Sequence, residues 1–207
     1  MSTATVTTVT IPTPHGEARA HLHAAEEPRG ALVLGHGAGG GVEAPDLVAS
    51  TEAAGRQGFS VALVEQPYRA AGRRSSPPAQ QLDAAWLAVV GELTQGELSG
   101  LPLIAGGRSA GARVACRTAG ATGATAVLCL AFPLRPPARK GKPPAPDRLP
   151  ELEAVTVSVL IVQGEGDRFG MPPRGPNREV VQVPGDHSLR RDTHAVATAV
   201  EDWLGRR

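Results

Sequence analysis

Ser109 stands in Gly107-Arg108-Ser109-Ala110-Gly111, a G-x-S-x-G spacing. The apolar run 101–105 precedes it and the helix-like run 112–116 follows. Strand, sharp turn and helix form the context in which this spacing presents a serine hydroxyl as a nucleophile. The turn strains the serine backbone, so its neighbours must be small. A helix start beside the hydroxyl favours developing negative charge. A serine hydroxyl is a poor nucleophile until a base takes its proton, and the base needs an acid to orient it. Downstream, the strand-like run Val159–Val162 leads into Gln163-Gly-Glu-Gly-Asp167, and Val180–Val183 leads into Pro184-Gly-Asp-His187. Asp167 is the expected acid, with its neighbour Glu165 as a replacement. His187 is the expected base, because it sits on a loop after a strand end. Asp186 is a second acid candidate, but its place next to His187 makes the far side of that imidazole hard to reach. The order serine, acid, histidine points to acyl transfer.

The segment Gly35-His-Gly-Ala-Gly-Gly40 follows another short apolar run, Ala31–Leu34, and admits two readings. It spells G-x-G-x-x-G after a strand, with Glu65 ending the next strand, as in a dinucleotide fingerprint. That fingerprint needs a helix to open at the third glycine, whereas Gly41–Pro45 intervenes here. The alternative is an oxyanion loop, in which one of its backbone N–H groups and that of Ala110 hold a tetrahedral oxyanion. Ala38 is the favoured donor and Gly37 the main rival. Gly37 and Gly39 let the loop approach a substrate closely, and with Arg108 and Phe132 they are the expected substrate-binding residues. His36 reads as a loop-shaping residue.

These residues need a scaffold. Thr5–Ile11 alternates Thr with Val or Ile and suits a half-exposed strand; Ala18–His23 is the returning strand of an antiparallel hairpin. Buried strands are expected at 31–34, 59–64, 101–105, 124–131, 155–162 and 179–183. Helices are expected at 45–54, over Leu82–Leu93, at 112–119 and at 192–204, with 66–78 as a polar, arginine-rich loop. Alternating strands and helices imply an α/β fold with a mostly parallel sheet covered on both faces. Such sheets bind ligands beyond the carboxyl ends of their strands, where the glycine loop, the serine, the acids and His187 all fall.

Composition sets bounds. The chain of 207 residues suits one sizeable core, 1–207, better than two domains. A net charge of +1 offers no field for nucleic acid or an anionic membrane, and 3% aromatic residues argues against base stacking. Cys116 and Cys129 lie in apolar stretches and read as small buried hydrophobes. No metal-ligand spacing occurs, and neither metal nor cofactor is expected. His15, His21 and His23 read as hairpin surface residues, and His194 as solvated. With no signal-peptide pattern and no long apolar stretch, a reducing cytoplasm is the expected compartment.

Taken together, the segments 34–40, 106–115, 132–137, 160–170 and 185–188 resemble those of the α/β-hydrolases. Within them the chain is similar to the small lidless group related to dienelactone hydrolase, and more closely to the KANL3/Tex30-like hydrolase family. The resemblance covers most of the chain from the first parallel strand to the last. It implies a Ser109–Asp167–His187 triad, with an oxyanion hole from the Gly35–Gly40 loop and Ala110. Two departures stand out. Ala110 and Ala112 replace the family's frequent Met and Gly, and serine replaces the cysteine of dienelactone hydrolases proper.

The expected reaction is cleavage of a small ester or thioester through an acyl-enzyme. The proline-rich segment 132–150 is too short for a substantial lid, so an open site is expected. Arg69, Arg73, Arg74, Arg108 and Arg135 are expected near its mouth, as a solvated basic rim or as receivers of a substrate carboxylate. A non-catalytic binding or scaffold protein and a nucleotide-binding oxidoreductase are the alternatives.

Overall fold

Short runs of Val, Ile, Leu and Ala pair edge to edge, and their alternate side chains must be buried on opposite faces. The computed structural model describes residues 6–136 and 146–207. Its strands are β1 (Val6–Thr13), β2 (Gly16–His23), β3 (Gly30–Gly35), β4 (Phe59–Glu65), β5 (Leu103–Arg108), β6 (Ala126–Leu130), β7 (Ser158–Gly164) and β8 (Arg178–Val183). They form one sheet in the order β1-β2-β4-β3-β5-β6-β7-β8. β1 and β2 make an antiparallel hairpin, β2 meets β4 antiparallel, and every pair from β4 to β8 is parallel.

The helices are α1 (Pro45–Arg56), α2 (Pro67–Ala70), α3 (Ala79–Gln95), α4 (Ala110–Thr118), α5 (Leu149–Glu153) and α6 (Thr193–Gly205). Leu32, Leu34, Leu128, Leu160 and Val162 pack on the face that α1 and α6 cover, with Leu47, Val196 and Trp203. Ala31, Val33, Val127, Val159 and Ile161 pack on the other face against α3 and α4, with Trp86, Val89 and Val114. Continuous apolar strands thus feed two cores by simple alternation. Arg117 donates to both oxygens of Asp83 (2.8 and 2.6 Å) and Arg113 to both of Glu151 (2.8 and 2.5 Å), tying α4 to α3 and α5.

The chain leaves β3 through α1 on one face to β4, then returns through α3 on the other face to β5. The carboxyl ends of β3 and β5 are therefore a switch point, where the two connections diverge and leave a crevice. The expected polar loop 66–78 differs. Its start is α2, and Gln66, Pro67 and Tyr68 are buried. Pro67 presets the first helical turn, and the Tyr68 hydroxyl is satisfied inside by the Ala38 carbonyl at 2.8 Å. β5 also runs on through Gly106 and Gly107 to Arg108, because both glycines lie in register with neighbouring strands. Residues 137–145 of the proline-rich segment, and Thr5 of the first expected strand, lie outside the described residues.

Gly107 and Gly111 show why the elbow needs its glycines. A Cβ on Gly107 would stand 2.5 Å from the Gly35 carbonyl oxygen, and one on Gly111 would collide with the same oxygen. Gly91, in α3, has open space at its Cβ position. Alanine is better than glycine in a helix by about 1 kcal/mol. Gly91→Ala is therefore expected to raise thermal stability by about 0.5–1 kcal/mol. Gly111→Ala should lower it by more than about 2 kcal/mol, the collision outweighing the propensity. Thermal denaturation of both variants measures the contrast.

Candidate active site

Ser109 sits between β5 and α4 with φ 52° and ψ −106°, a left-handed conformation that costs a non-glycine residue about 1–3 kcal/mol. Its N–H donates to Leu130 O at 2.9 Å, which pins the turn to β6. Its hydroxyl is aimed out of the sheet, and His187 Nε2 lies 2.9 Å from Oγ. His187 Nδ1 lies 2.8 Å from Asp167 Oδ2. The Asp167 side chain is only 1% exposed, whereas the imidazole is 19% exposed. An ionised carboxylate must accept, so Nδ1 carries the hydrogen and Nε2 is left to accept from the serine hydroxyl. Asp167 Oδ2 also accepts from Gln163 Nε2 at 2.8 Å, and Oδ1 from the Phe169 N–H at 2.8 Å.

Close backbone approach brings the Asp167 and His187 loops together. β7 and β8 are parallel and end side by side, with Gly164 beside Val183. A Cβ on Gly164 would collide with Asp186 O and stand 2.8 Å from Gly185 O. The alternative acids lie elsewhere: Glu165 is exposed, and Asp186 turns back to accept from the N–H and hydroxyl of Ser188 at 2.9 and 2.6 Å. Those two bonds hold the Asp186 carboxyl below its usual range.

The Gly35–Gly40 loop lies on the other side of Ser109. A Cβ on Gly37 would be 3.6 Å from Ser109 Cβ, so the loop backbone faces the serine directly. His36 is buried, with Nδ1 2.8 Å from Gly37 O and Nε2 3.1 Å from the Gln66 N–H. A carbonyl can only accept and an amide N–H can only donate, so the ring is neutral with its hydrogen on Nδ1. Burial pushes its pKa down from 6.5. Gly37 O also accepts from the Gly40 N–H at 3.2 Å. In a trans peptide the C=O and N–H point opposite ways, so holding Gly37 O directs the Ala38 N–H away from His36. Among the described residues, the N–H groups of Gly37, Ala38 and Ala110 have no protein acceptor. The helix required by the dinucleotide fingerprint opens at Pro45, beyond the third glycine. Among the described residues no three His, Cys, Asp or Glu side chains are placed to hold a metal ion.

A model of the alpha/beta hydrolase domain family matches residues 28–202. The chain belongs to the alpha/beta hydrolase family. XC6422 from Xanthomonas campestris, a serine hydrolase without a lid, is 17% identical with a TM-score of 0.77, over 100% of this chain and 96% of its own. Est1E from Butyrivibrio proteoclasticus is 17% identical with a TM-score of 0.76, over 95% and 97% of the two chains. A dienelactone hydrolase from Anabaena variabilis is 16% identical with a TM-score of 0.75, over 98% and 97%. No curated protein sequence matches the chain.

In this α/β-hydrolase, two expected substrate-binding side chains are placed differently. Phe132 is fully buried in the α3/α4 core, because the left-handed turn at Ala131 (φ 48°) sends it inward. Its carbonyl, not its ring, reaches the site's support, accepting from Gln163 Nε2 at 3.1 Å. Arg108 is no rim residue. Its side chain is 16% exposed, with Nε 2.9 Å from buried Asp46 Oδ2, and its Nη2 donates to His187 O at 2.8 Å. Arg135 is exposed and pairs with Asp147 at 2.9 Å, and Arg73 and Arg74 are exposed. Gly39 is exposed at the loop tip.

Sequence reasoning missed Gln163, Tyr68, Phe169 and Asp46. Gln163 interrupts the apolar run near the end of β7, and it is completely buried against Asp167. That interruption was its signal. Tyr68 is the chain's single tyrosine and braces Ala38. Phe169 packs on the His187 ring, with centroids 4.3 Å apart. Asp46 lies in the first turn of α1, where an acidic residue is common and carries no signal of its own. The free thiols of Cys116 and Cys129 are buried 3.5 Å apart; their hydrogen bond, then burial, raises that of Cys129 well above its usual range.

His36 yields a pH prediction. Below pH 6.5 the unfolded chain binds a proton that the folded His36 holds off, so stability present above pH 6.5 is lost as pH falls. The wild-type Tm should drop between about pH 7.5 and about pH 5.5, and His36→Gln should shrink that drop. Equal drops in both proteins would remove His36 as the cause.

Proposed function

We propose that this α/β-hydrolase cleaves small esters or thioesters through an acyl-enzyme, with Ser109 as nucleophile, His187 as base and Asp167 as acid. The reading rests on the unbroken contact Ser109 Oγ–His187 Nε2, His187 Nδ1–Asp167 Oδ2, at 2.9 and 2.8 Å. As Oγ bonds to the substrate carbonyl carbon, its proton passes to Nε2. Asp167 stabilises the imidazolium. The N–H groups of Ala38 and Ala110 hold the oxyanion, in a position that the strained Ser109 and the fixed Gly37 carbonyl prepare in advance. Collapse breaks the bond to the alkoxide or thiolate, which leaves with the proton from Nε2. Water then attacks the acyl carbon, gives its proton to Nε2, and the acid leaves as Oγ regains that proton.

The partly exposed Ser109 and His187 support an open site for small or surface-accessible substrates. The resemblance of its residue pattern to the KANL3/Tex30-like hydrolases supports a reading as one catalytic domain working in the cytoplasm. Its mixed charge supports a small-molecule substrate and no nucleic acid partner. No helix among the described residues is long and apolar enough to cross a membrane.

Fluorophosphonate labelling followed by intact mass tests the mechanism. Wild type should gain one adduct and Ser109→Ala none. On a p-nitrophenyl ester, Ser109→Ala and His187→Ala should each lose at least about 10⁴-fold in kcat. Folded wild type that gains no adduct would overturn the mechanism and favour a binding or scaffold role.

A further inference from the structure

Arg108 occupies the variable position before Ser109, and its guanidinium reaches α1, the His187 backbone and the glycine loop. Nε lies 2.9 Å from Asp46 Oδ2 in the first turn of α1. Nη2 donates to the backbone carbonyl of His187 at 2.8 Å. Nη1 runs beneath the oxyanion loop, where a Cβ on Gly37 would come within 2.8 Å of it. The residue's own backbone leads directly into Ser109. One cation therefore spans the base loop, the glycine loop and α1 from the foot of the nucleophile. We propose that Arg108, anchored by Asp46, is the positioning residue that sets His187 against Ser109. This inference rests on the proposed hydrolytic role of that pair.

The chemistry favours arginine in that role. A planar guanidinium never loses its charge and carries its donors in a rigid fork, so it can pair with buried Asp46 while Nη2 donates to the His187 carbonyl. Lysine has a point charge on a flexible stem and cannot hold both. Asp46 is completely buried, and its Oδ1 accepts from the Leu47 N–H at 3.1 Å. Burial raises its carboxyl pKa while Arg108 acts against that rise. The anchor and the clamp thus depend on each other. His187 sits on a loop followed by a left-handed residue, Leu189 (φ 51°), and has no strand of its own to hold it. Its side chain is tethered by Asp167 and its backbone by Arg108. A shift of about 1 Å in such a base can cost about a hundredfold in rate.

Removing one member of a buried pair leaves the other unpaired and lowers stability, whereas replacing both with apolar residues of similar volume often does not. The test therefore uses Arg108→Lys and the double variant Arg108→Met/Asp46→Leu beside wild type. Thermal denaturation checks folding. kcat and KM on p-nitrophenyl acetate and on an acidic ester are measured, and long-range ¹⁵N NMR reads the His187 tautomer. The double variant should keep its Tm but lose about tenfold to a hundredfold in kcat, with KM within about twofold. Its His187 should change from the single Nδ1–H tautomer to a mixture. A folded double variant with wild-type kcat and tautomer would overturn the proposal. So would a loss confined to KM for the acidic ester with the tautomer unchanged, which would make Arg108 a ligand for substrate carboxylates. If wild type hydrolyses neither ester and takes no fluorophosphonate, the hydrolytic reading fails alone, and the His187 tautomer still decides whether Arg108 positions it.

Discussion

No side chain can stand between the end of β3 and the first turn of α4. The backbone of Gly107 and Gly111 rests against the backbone of Gly35, and a Cβ at either elbow position would overlap the Gly35 carbonyl. The rest of the site depends on this contact. It lets α4 start beside the glycine loop, so that loop and Ala110 both adjoin Ser109. It also explains how Ser109 can keep a left-handed backbone: sheet, helix and the Leu130 carbonyl over-determine its position. Ala131 and Leu189 share that conformation and lie close to the site in sequence, at the end of β6 and just after His187. Strain is thus concentrated where loops must turn sharply away from parallel strands.

The polar interior follows the same geometry. Buried Ser50, Thr51 and Thr118 return hydrogen bonds to their own helices, and Ser60 accepts from a neighbouring loop. The other buried polar residues, His36, Asp46, Gln66, Gln163 and Asp167, all stand near the carboxyl ends of the parallel strands. A buried polar group costs free energy unless it is hydrogen-bonded. Gathering such groups at one edge leaves the two cores built mainly of apolar side chains. His36 holds the glycine loop, Gln163 holds the Asp167 carboxylate and Arg108 holds the His187 carbonyl, each through an acceptor or donor that can adopt only one role. The partly exposed Ser109 and His187 are thus oriented by contacts to groups behind them.

Much of this was readable in one dimension. The alternation of apolar runs with helical periodicity dictated a parallel α/β sheet, because only helices can return the chain between parallel strands and cover both faces. The antiparallel hairpin was visible in the Thr/Val alternation of 6–11 and the turn at 12–16. Ser109, Asp167 and His187 were each marked by a strand running into glycine-rich sequence, since a residue presented at a strand end must sit on a sharp turn. Tyr68 escaped notice inside a segment rich in arginine, because proximity to proline and polar neighbours conceals a buried ring.

Sequence by itself determined the order of elements, the apolar faces and the residue types able to carry acyl transfer, since these are local properties of pattern and composition. Tertiary structure alone decided which partners meet. Asp167 and His187 are 20 residues apart in the chain, and Ser109 lies 78 from His187. It also reversed the expectation for Phe132, whose ring turns into the core, and for Arg108, whose charge faces inward to Asp46 and the His187 carbonyl. A side chain's direction depends on the backbone turn beneath it and on acceptors supplied by distant loops. Neither is encoded in spacing, so an arginine expected at a rim and one that clamps a site read alike until the chain is folded.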